Sequence, residues 1–91
     1  MLVIKGTGKL YNADGTRVRT LATYEVCIRS SGESMPEEWW GSFIPEYRLL
    51  LSEGEYTLEL QDERKGRVII TNIEIQGGTY HYQFQGSGAL K

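Results

Sequence analysis

The chain has 91 residues, of which 40% are hydrophobic and 24% are charged, and its formal net charge is −2. A chain this short supports a single hydrophobic core, and its composition excludes disordered and collagen-like proteins. We therefore expect one domain over residues 1–91.

Cysteine content and the first residues bear on cellular location. Cys27 is the only cysteine, so no intramolecular disulfide or multi-cysteine zinc site can form, and a reducing compartment fits best. The opening apolar run is too short for a signal peptide, and no apolar run approaches the roughly 20 residues of a membrane-spanning helix. The sequence predicts a cytoplasmic protein.

Alternation of apolar and polar residues with period two recurs along the chain and predicts strands throughout. The first strand runs from Leu2 to Tyr11 and the second from Arg17 to Arg29. The third runs from Trp39 to Ile44. Because proline cannot donate a hydrogen bond to a neighbouring strand, this strand should end at Pro45 or lie at a sheet edge.

Four further strands are predicted, over Tyr47 to Leu51, Tyr56 to Gln61, Arg67 to Gln76 and Tyr80 to Gln85. Within the third of these, the apolar residues switch from even to odd positions after Ile70. One extra residue is needed to keep both sets inside, which predicts a β-bulge near Thr71 and Asn72. Gly77-Gly78 predicts a tight hairpin turn.

The spacing of these strands bears on the fold class. Short connections and frequent turn residues are typical of antiparallel sandwiches and barrels. Six or seven strands around one core favour an all-β fold, a single small antiparallel β-barrel that is mainly up-and-down. Glycine-rich segments, Gly6-Thr7-Gly8 and Gly86-Ser87-Gly88, lie near the two ends. If the first and last strands pair, we expect these segments near the seam that closes the barrel.

Charge is segregated along the sequence. From Glu33 to Glu63 nine acids face one base, Arg48, for a net −8, whereas the rest of the chain carries nine bases and three acids, for a net +6. If the two sets lie at different ends of the fold, the molecule is strongly dipolar, which favours steering of a charged partner or head-to-tail association. The alternative is that these charges are simply solvated.

Residues that could carry catalysis are few. The single histidine, His81, alternates with glutamines on the polar side of the last strand, and Cys27 lies on the polar face of the second. The acidic pairs Glu37-Glu38 and Asp62-Glu63 fall on turns and lack the spacing of a calcium loop. We expect no catalytic residues, no cofactor and no metal site, and hence no enzyme.

The aromatic residues around the third strand are more informative. Trp39 and Trp40 are neighbours on a strand and must point to opposite faces, so one of them is exposed unless a loop covers it. Aromatic side chains are favoured at interface centres. The sequence therefore predicts a non-catalytic module that binds a protein partner or associates with itself as a homo-oligomer. The predicted partner-binding residues are Trp39, Trp40, Phe43 and Tyr47.

Two alternatives stay open. Small barrels often bind single-stranded nucleic acid through aromatic residues on a basic face. The overall acidity and the lack of aromatic residues among the bases argue against this. A carrier of a small apolar ligand is the other alternative, although side chains such as Tyr24, Tyr82 and Phe84 would fill so narrow a barrel. The candidate nucleic-acid-binding residues are Arg17, Arg19, Arg64, Lys65 and Arg67.

Several segments together carry a resemblance that spans nearly the whole chain. They are the glycine-rich first strand, Trp39-Trp40-Gly41-Ser42, Arg67-Val68-Ile69-Ile70 and the closing Phe84-Gln85-Gly86-Ser87-Gly88-Ala89-Leu90. With these the chain resembles short uncharacterised bacterial β-barrel proteins. The resemblance implies a fold and no activity, so no functional residue is carried over.

Overall fold

The computed structural model describes residues 1–29, 37–46 and 50–91. In this part of the chain six strands form one closed antiparallel barrel, which confirms the predicted fold class. The strands are β1 (Leu2–Tyr11), β2 (Val18–Arg29), β3 (Glu38–Pro45), β4 (Glu55–Glu59), β5 (Lys65–Gln76) and β6 (Thr79–Ser87).

The order around the barrel is β1-β2-β3-β6-β5-β4, and β4 closes against β1. Four of the five connections join neighbouring strands, as an up-and-down barrel requires, but the connection from β3 to β4 joins strands on opposite sides. The first and last strands therefore do not pair, contrary to the expectation for the seam. Leu51, in the crossing connection, is buried, and its N–H donates to the Tyr82 hydroxyl at 2.7 Å. This contact fastens the crossing segment to the core.

The predicted fourth strand, over Tyr47 to Leu51, is not seen in the part that the structure describes. Residues 47–49 lie outside the described residues, and Leu50 and Leu51 belong to no strand. The described residues contain no helix that is long and apolar enough to cross a membrane.

The β-bulge lies where the sequence predicts it. The β5–β6 register shifts between Ile70 and Asn72, and the hairpin turns at Gly77 and Gly78, whose φ angles are 58° and 79°. The expectation that all the apolar residues of β5 point into the core is wrong for Ile75, which is 67% exposed. The ladders to β3 and β4 end before this region, so the tip of the hairpin extends beyond the barrel.

Trp39 is the largest side chain of the core, and two glycines make room for it. A Cβ atom at Gly86 would lie 2.2 Å from the indole, and one at Gly66 would lie 2.5 Å from it. The indole N–H donates to the Gly88 carbonyl at 3.0 Å. The ring also meets Phe84 edge-on, with 5.8 Å between the ring centroids. Trp39 therefore packs over the inner faces of β6, which is next to β3, and of β5, the strand beyond it.

Candidate interaction surface

The four residues predicted to contact a partner lie in different places. Trp39 and Phe43 are 1% and 0% exposed, because the odd-numbered residues of β3 face the core, so neither can touch a partner at the surface of the closed barrel. Tyr47 lies outside the described residues. Trp40 points outward and is half-buried. Of the described candidates, Trp40 is the one that is available for binding.

Trp40 lies in a row of apolar side chains that crosses the outside of the barrel. Val3 pairs with Cys27 across β1 and β2, and Cys27 pairs with Trp40 across β2 and β3. Val3 is 44% exposed, and Cys27 and Trp40 are half-buried. We call these three residues the Trp40 patch. Their in-register alignment follows from strand pairing, which the sequence alone does not reveal.

Charged pairs border the patch on both sides. Toward one end of the strands, Arg29 and Glu38 face each other across β2 and β3 and form an ion pair. The Arg29 guanidinium carbon also lies 5.7 Å from the centroid of the Trp40 ring. Toward the other end, Lys5 pairs with Glu25 at 3.8 Å. An apolar centre with a polar rim is the usual anatomy of a protein interface.

The barrel mixes the charges that the sequence segregates. Four of the ion pairs join a carboxylate of the acidic segment to a base outside it. Three of them form because β4 lies beside β5 and β3 lies beside β2, and the pair of Arg64 with Asp62 lies within one turn. The described residues therefore do not support the expectation that acidic and basic residues lie at opposite ends of the fold. The pairs are Arg29–Glu38, Arg64–Asp62 at 2.8 Å, Lys65–Glu59 at 3.7 Å and Arg67–Glu55 at 3.8 Å.

Closure of the barrel brings the predicted nucleic-acid-binding residues to one side. Tyr11 pairs with Val18, next to Arg17 and Arg19, and also with Thr57, which pairs with Arg67. The Lys65 ammonium lies 5.2 Å from the centroid of the Tyr11 ring. An aromatic side chain, that of Tyr11, therefore lies among these bases. The sequence pattern did not predict this arrangement, because it depends on the contact between β1 and β4. Arg64, Lys65 and Arg67 are each already paired with a carboxylate.

Tyr11 itself is held by a carboxylate. Its hydroxyl donates to Glu59 Oε1 at 3.0 Å. This hydrogen bond, together with desolvation and the negative charge of Glu59, raises the pKa of Tyr11 above its ordinary value, because each favours the neutral phenol.

His81 and Cys27, which were considered for catalysis, lie on different strands that are not neighbours in the barrel. His81 lies on the outer face of β6, opposite Glu74 on β5. Cys27 is a free, half-buried thiol of the Trp40 patch. No group of three or more histidine, cysteine or acidic side chains among the described residues is arranged to hold a metal ion.

The interior of the barrel is filled by side chains. Phe43 stacks on Tyr82, with 5.2 Å between the ring centroids, and the indole of Trp39 packs against Phe84. No side-chain nitrogen or oxygen buried among the described residues lacks a hydrogen-bond partner. The largest fully buried side chains are Trp39, Tyr82, Phe43, Leu10, Leu51, Leu58, Val26 and Val68.

Comparisons with protein-family models, curated proteins and solved structures found no match to this chain. The resemblance to small barrel proteins is therefore supported in its fold alone, by the six-stranded barrel itself.

Proposed function

We propose that this chain is a non-catalytic, cytoplasmic protein-interaction module that binds through the Trp40 patch. The observation that carries the proposal is the outward Trp40, aligned with Val3 and Cys27 and bordered by charged pairs. Indole side chains dominate binding energy where a partner covers them, and truncation of such a residue typically costs about 2 kcal/mol or more. The single reduced cysteine supports the cytoplasmic part of the proposal.

The surroundings of the patch favour a preformed binding surface. At its border, Arg29 contacts Glu38 on one side and lies over the Trp40 ring on the other. Trp40 itself is flanked by two paired strands, β2 and β6. A partner that covers the patch therefore loses little affinity to the ordering of flexible side chains.

Site-specific photo-crosslinking tests the proposal for a partner of any identity. A photoreactive phenylalanine replaces Val3, an exposed residue of the Trp40 patch, in cells, and the matched control carries it at Glu55, which is exposed on β4, the strand opposite β3. We expect one defined protein adduct from position 3 and none from position 55, whether the captured protein is this chain or another. Absence of any adduct at position 3, or the same adducts at both positions, overturns the proposal.

Binding of single-stranded nucleic acid is the second candidate, supported by Tyr11 and its neighbouring bases. Stacking of a base on an aromatic ring beside cations is the usual mode in small barrels. Here Lys65 already occupies a position over the Tyr11 ring, and Glu59 holds both residues. A nucleic-acid strand would have to displace these contacts. The test is titration of a labelled oligothymidine at low salt, where the electrostatic attraction is strongest. Absence of binding contradicts this candidate.

The third candidate, a carrier that holds a small apolar ligand inside the barrel, has no supporting observation. A carrier needs an internal cavity, and in the described residues bulky side chains occupy the axis of the barrel. Surface grooves do occur, and the one beside Trp40 has a volume of about 440 Å³. It is lined mainly by polar groups, including Glu25, Ser42 and Gln83, so it does not suit an apolar ligand.

A further inference from the structure

We infer that the partner covering the Trp40 patch is a second copy of this chain, docked about a two-fold axis that runs parallel to β2 and β3 and between them. This inference rests on the proposed function and adds the identity and the orientation of the partner. It is carried by the way in which the outward residues of β2 and β3 match each other.

A two-fold dimer needs a surface whose two halves are complementary, because each residue on one half meets a residue from the other half of the second copy. Across β2 and β3 the outward residues pair in register as Arg29 with Glu38, Cys27 with Trp40, and Glu25 with Ser42. In each pair the two members are complementary: a cation with an anion, a thiol with an indole, and a carboxylate with a hydroxyl.

An axis between the two strands exchanges the members of each pair between the two copies. Arg29 of one copy then faces Glu38 of the other, and Trp40 faces Cys27 of the other. No like charges meet among these pairs. An axis over β2 alone would instead place Arg29 against Arg29 and Glu25 against Glu25, which is repulsive.

The convex shape of the barrel limits the size of this contact. Because barrel strands are tilted relative to the barrel axis, two barrels docked about the inferred two-fold axis touch over a small area, which here is centred on the two strands that carry Arg29, Glu38 and Trp40. The contact is narrow, so we expect a dimer that dissociates on dilution, in the size class of weak interfaces. Because Arg29 and Glu38 have half-exposed side chains, added salt screens their attraction and weakens the dimer.

Charge reversal at these two positions gives a specific test. The Arg29→Glu variant carries two carboxylates where the wild type has an ion pair, and the Glu38→Arg variant carries two guanidinium groups. In the inferred dimer each variant alone opposes like charges, so we expect dissociation constants at least tenfold above that of the wild type. An equimolar mixture opposes only unlike charges, and we expect it to form the heterodimer with near wild-type affinity. The measurement is light scattering during size exclusion, with native mass spectrometry of the mixture.

The mixture separates an intermolecular role from an intramolecular one. The ion pair within each chain is lost in both variants and cannot be restored by mixing, so recovery of dimers reports contact between copies. The matched control is the pair Lys5→Glu and Glu25→Lys, which also breaks an in-register ion pair. About the inferred axis, Glu25 faces Ser42 and Lys5 faces Gln83 of the other copy, both neutral. We expect no preferential heterodimer from this control mixture.

Several results would overturn the inference. A wild type that stays monomeric at all concentrations, a dimer that survives both charge reversals, or a mixture without heterodimers each contradicts it. Circular dichroism of the variants checks that they are folded. The proposed function fails separately, if a photoreactive residue at position 3 gives no crosslinked protein of any identity. An adduct with a different protein would support the proposed function and overturn the second copy as the partner.

Discussion

Replacement of Gly86 by alanine tests how tightly the core is built around Trp39. The added Cβ atom would lie 2.2 Å from the indole Cε2 and 2.3 Å from Cδ2, where carbon atoms ordinarily keep about 3.5–4.0 Å. The ring cannot move away easily, because its N–H is bonded to the Gly88 carbonyl, and Gly66 also lies close to it, at Cζ2 and Cη2.

The expected cost follows from these contacts. Overpacking of a tight core costs about 1–3 kcal/mol. Displacement of the indole adds about 1–3 kcal/mol if its hydrogen bond is lost. Alanine also makes the unfolded chain less flexible than glycine does, which offsets roughly 0.5–1 kcal/mol of this loss of stability. We therefore expect Gly86→Ala to reduce the free energy of unfolding by about 3 kcal/mol, within the ranges above.

Urea denaturation followed by circular dichroism measures this cost, and two further variants establish its cause. Ser87→Ala, at the exposed next position, should stay within about 0.5 kcal/mol of the wild type. In a Trp39→Phe background the overlap at Gly86 is relieved, so the same alanine should cost less than half as much. A Gly86→Ala variant as stable as the wild type, or an equal cost in both backgrounds, refutes the reasoning.

Three further predictions concern a turn, a titration and the tryptophans. Glu63 has a φ of 74°, so Glu63→Gly should relieve about 1–2 kcal/mol of backbone strain, of which the flexibility of glycine in the unfolded chain offsets roughly 0.5–1 kcal/mol. The net stabilisation should raise the urea midpoint, and a lower midpoint would contradict this. The pKa of Tyr11 is raised in the folded state, chiefly by the hydrogen bond that Tyr11 donates to Glu59. The stability that Tyr11 contributes is therefore complete below the unfolded pKa of about 10 and is lost as pH rises through the folded pKa. Absorbance titration should show a Tyr11 midpoint above 10 that falls in Glu59→Gln, with an unchanged midpoint as the contrary result. In dilute protein, acrylamide should quench Trp39→Phe, which retains the half-buried Trp40, more strongly than Trp40→Phe; equal quenching would contradict the assignment of faces.

Strand pattern and local turns could be predicted because they depend on neighbouring residues. The switch of apolar residues from even to odd positions in β5 placed the bulge at Thr71, where the register does shift. The same reasoning failed for Ile75, because alternation identifies a face of a strand and not how far along it the barrel extends. Beyond the ends of the ladders to β3 and β4, β5 is paired with β6 alone, so a side chain on the inner face of β5 no longer meets the core.

The closure of the barrel could not be predicted from the same signals. The glycine segments at the two ends suggested a shared seam, yet each serves a different contact. A Cβ atom at Gly8 would lie 2.0 Å from the Glu59 carbonyl oxygen, whereas Gly86 makes room for Trp39. The same contacts explain why Trp39 is the inner tryptophan: Gly86 and Gly66 leave space on its side of β3, and that space depends on which strands meet.

Topology also decides which electrostatic argument for function is sound. Net charges of −8 and +6 along the sequence suggest long-range steering, but the crossing from β3 to β4 places acidic β4 between basic β1 and β5, where its carboxylates pair locally. Exposed pairs of this kind contribute little to stability, about 0–1 kcal/mol each, and the field that they cast at a distance is small because opposite charges lie together. If the chain binds a partner as proposed, the specificity comes from contacts at short range. Arg29 and Glu38 have the position for such a role, because they are the ion pair that borders Trp40 directly.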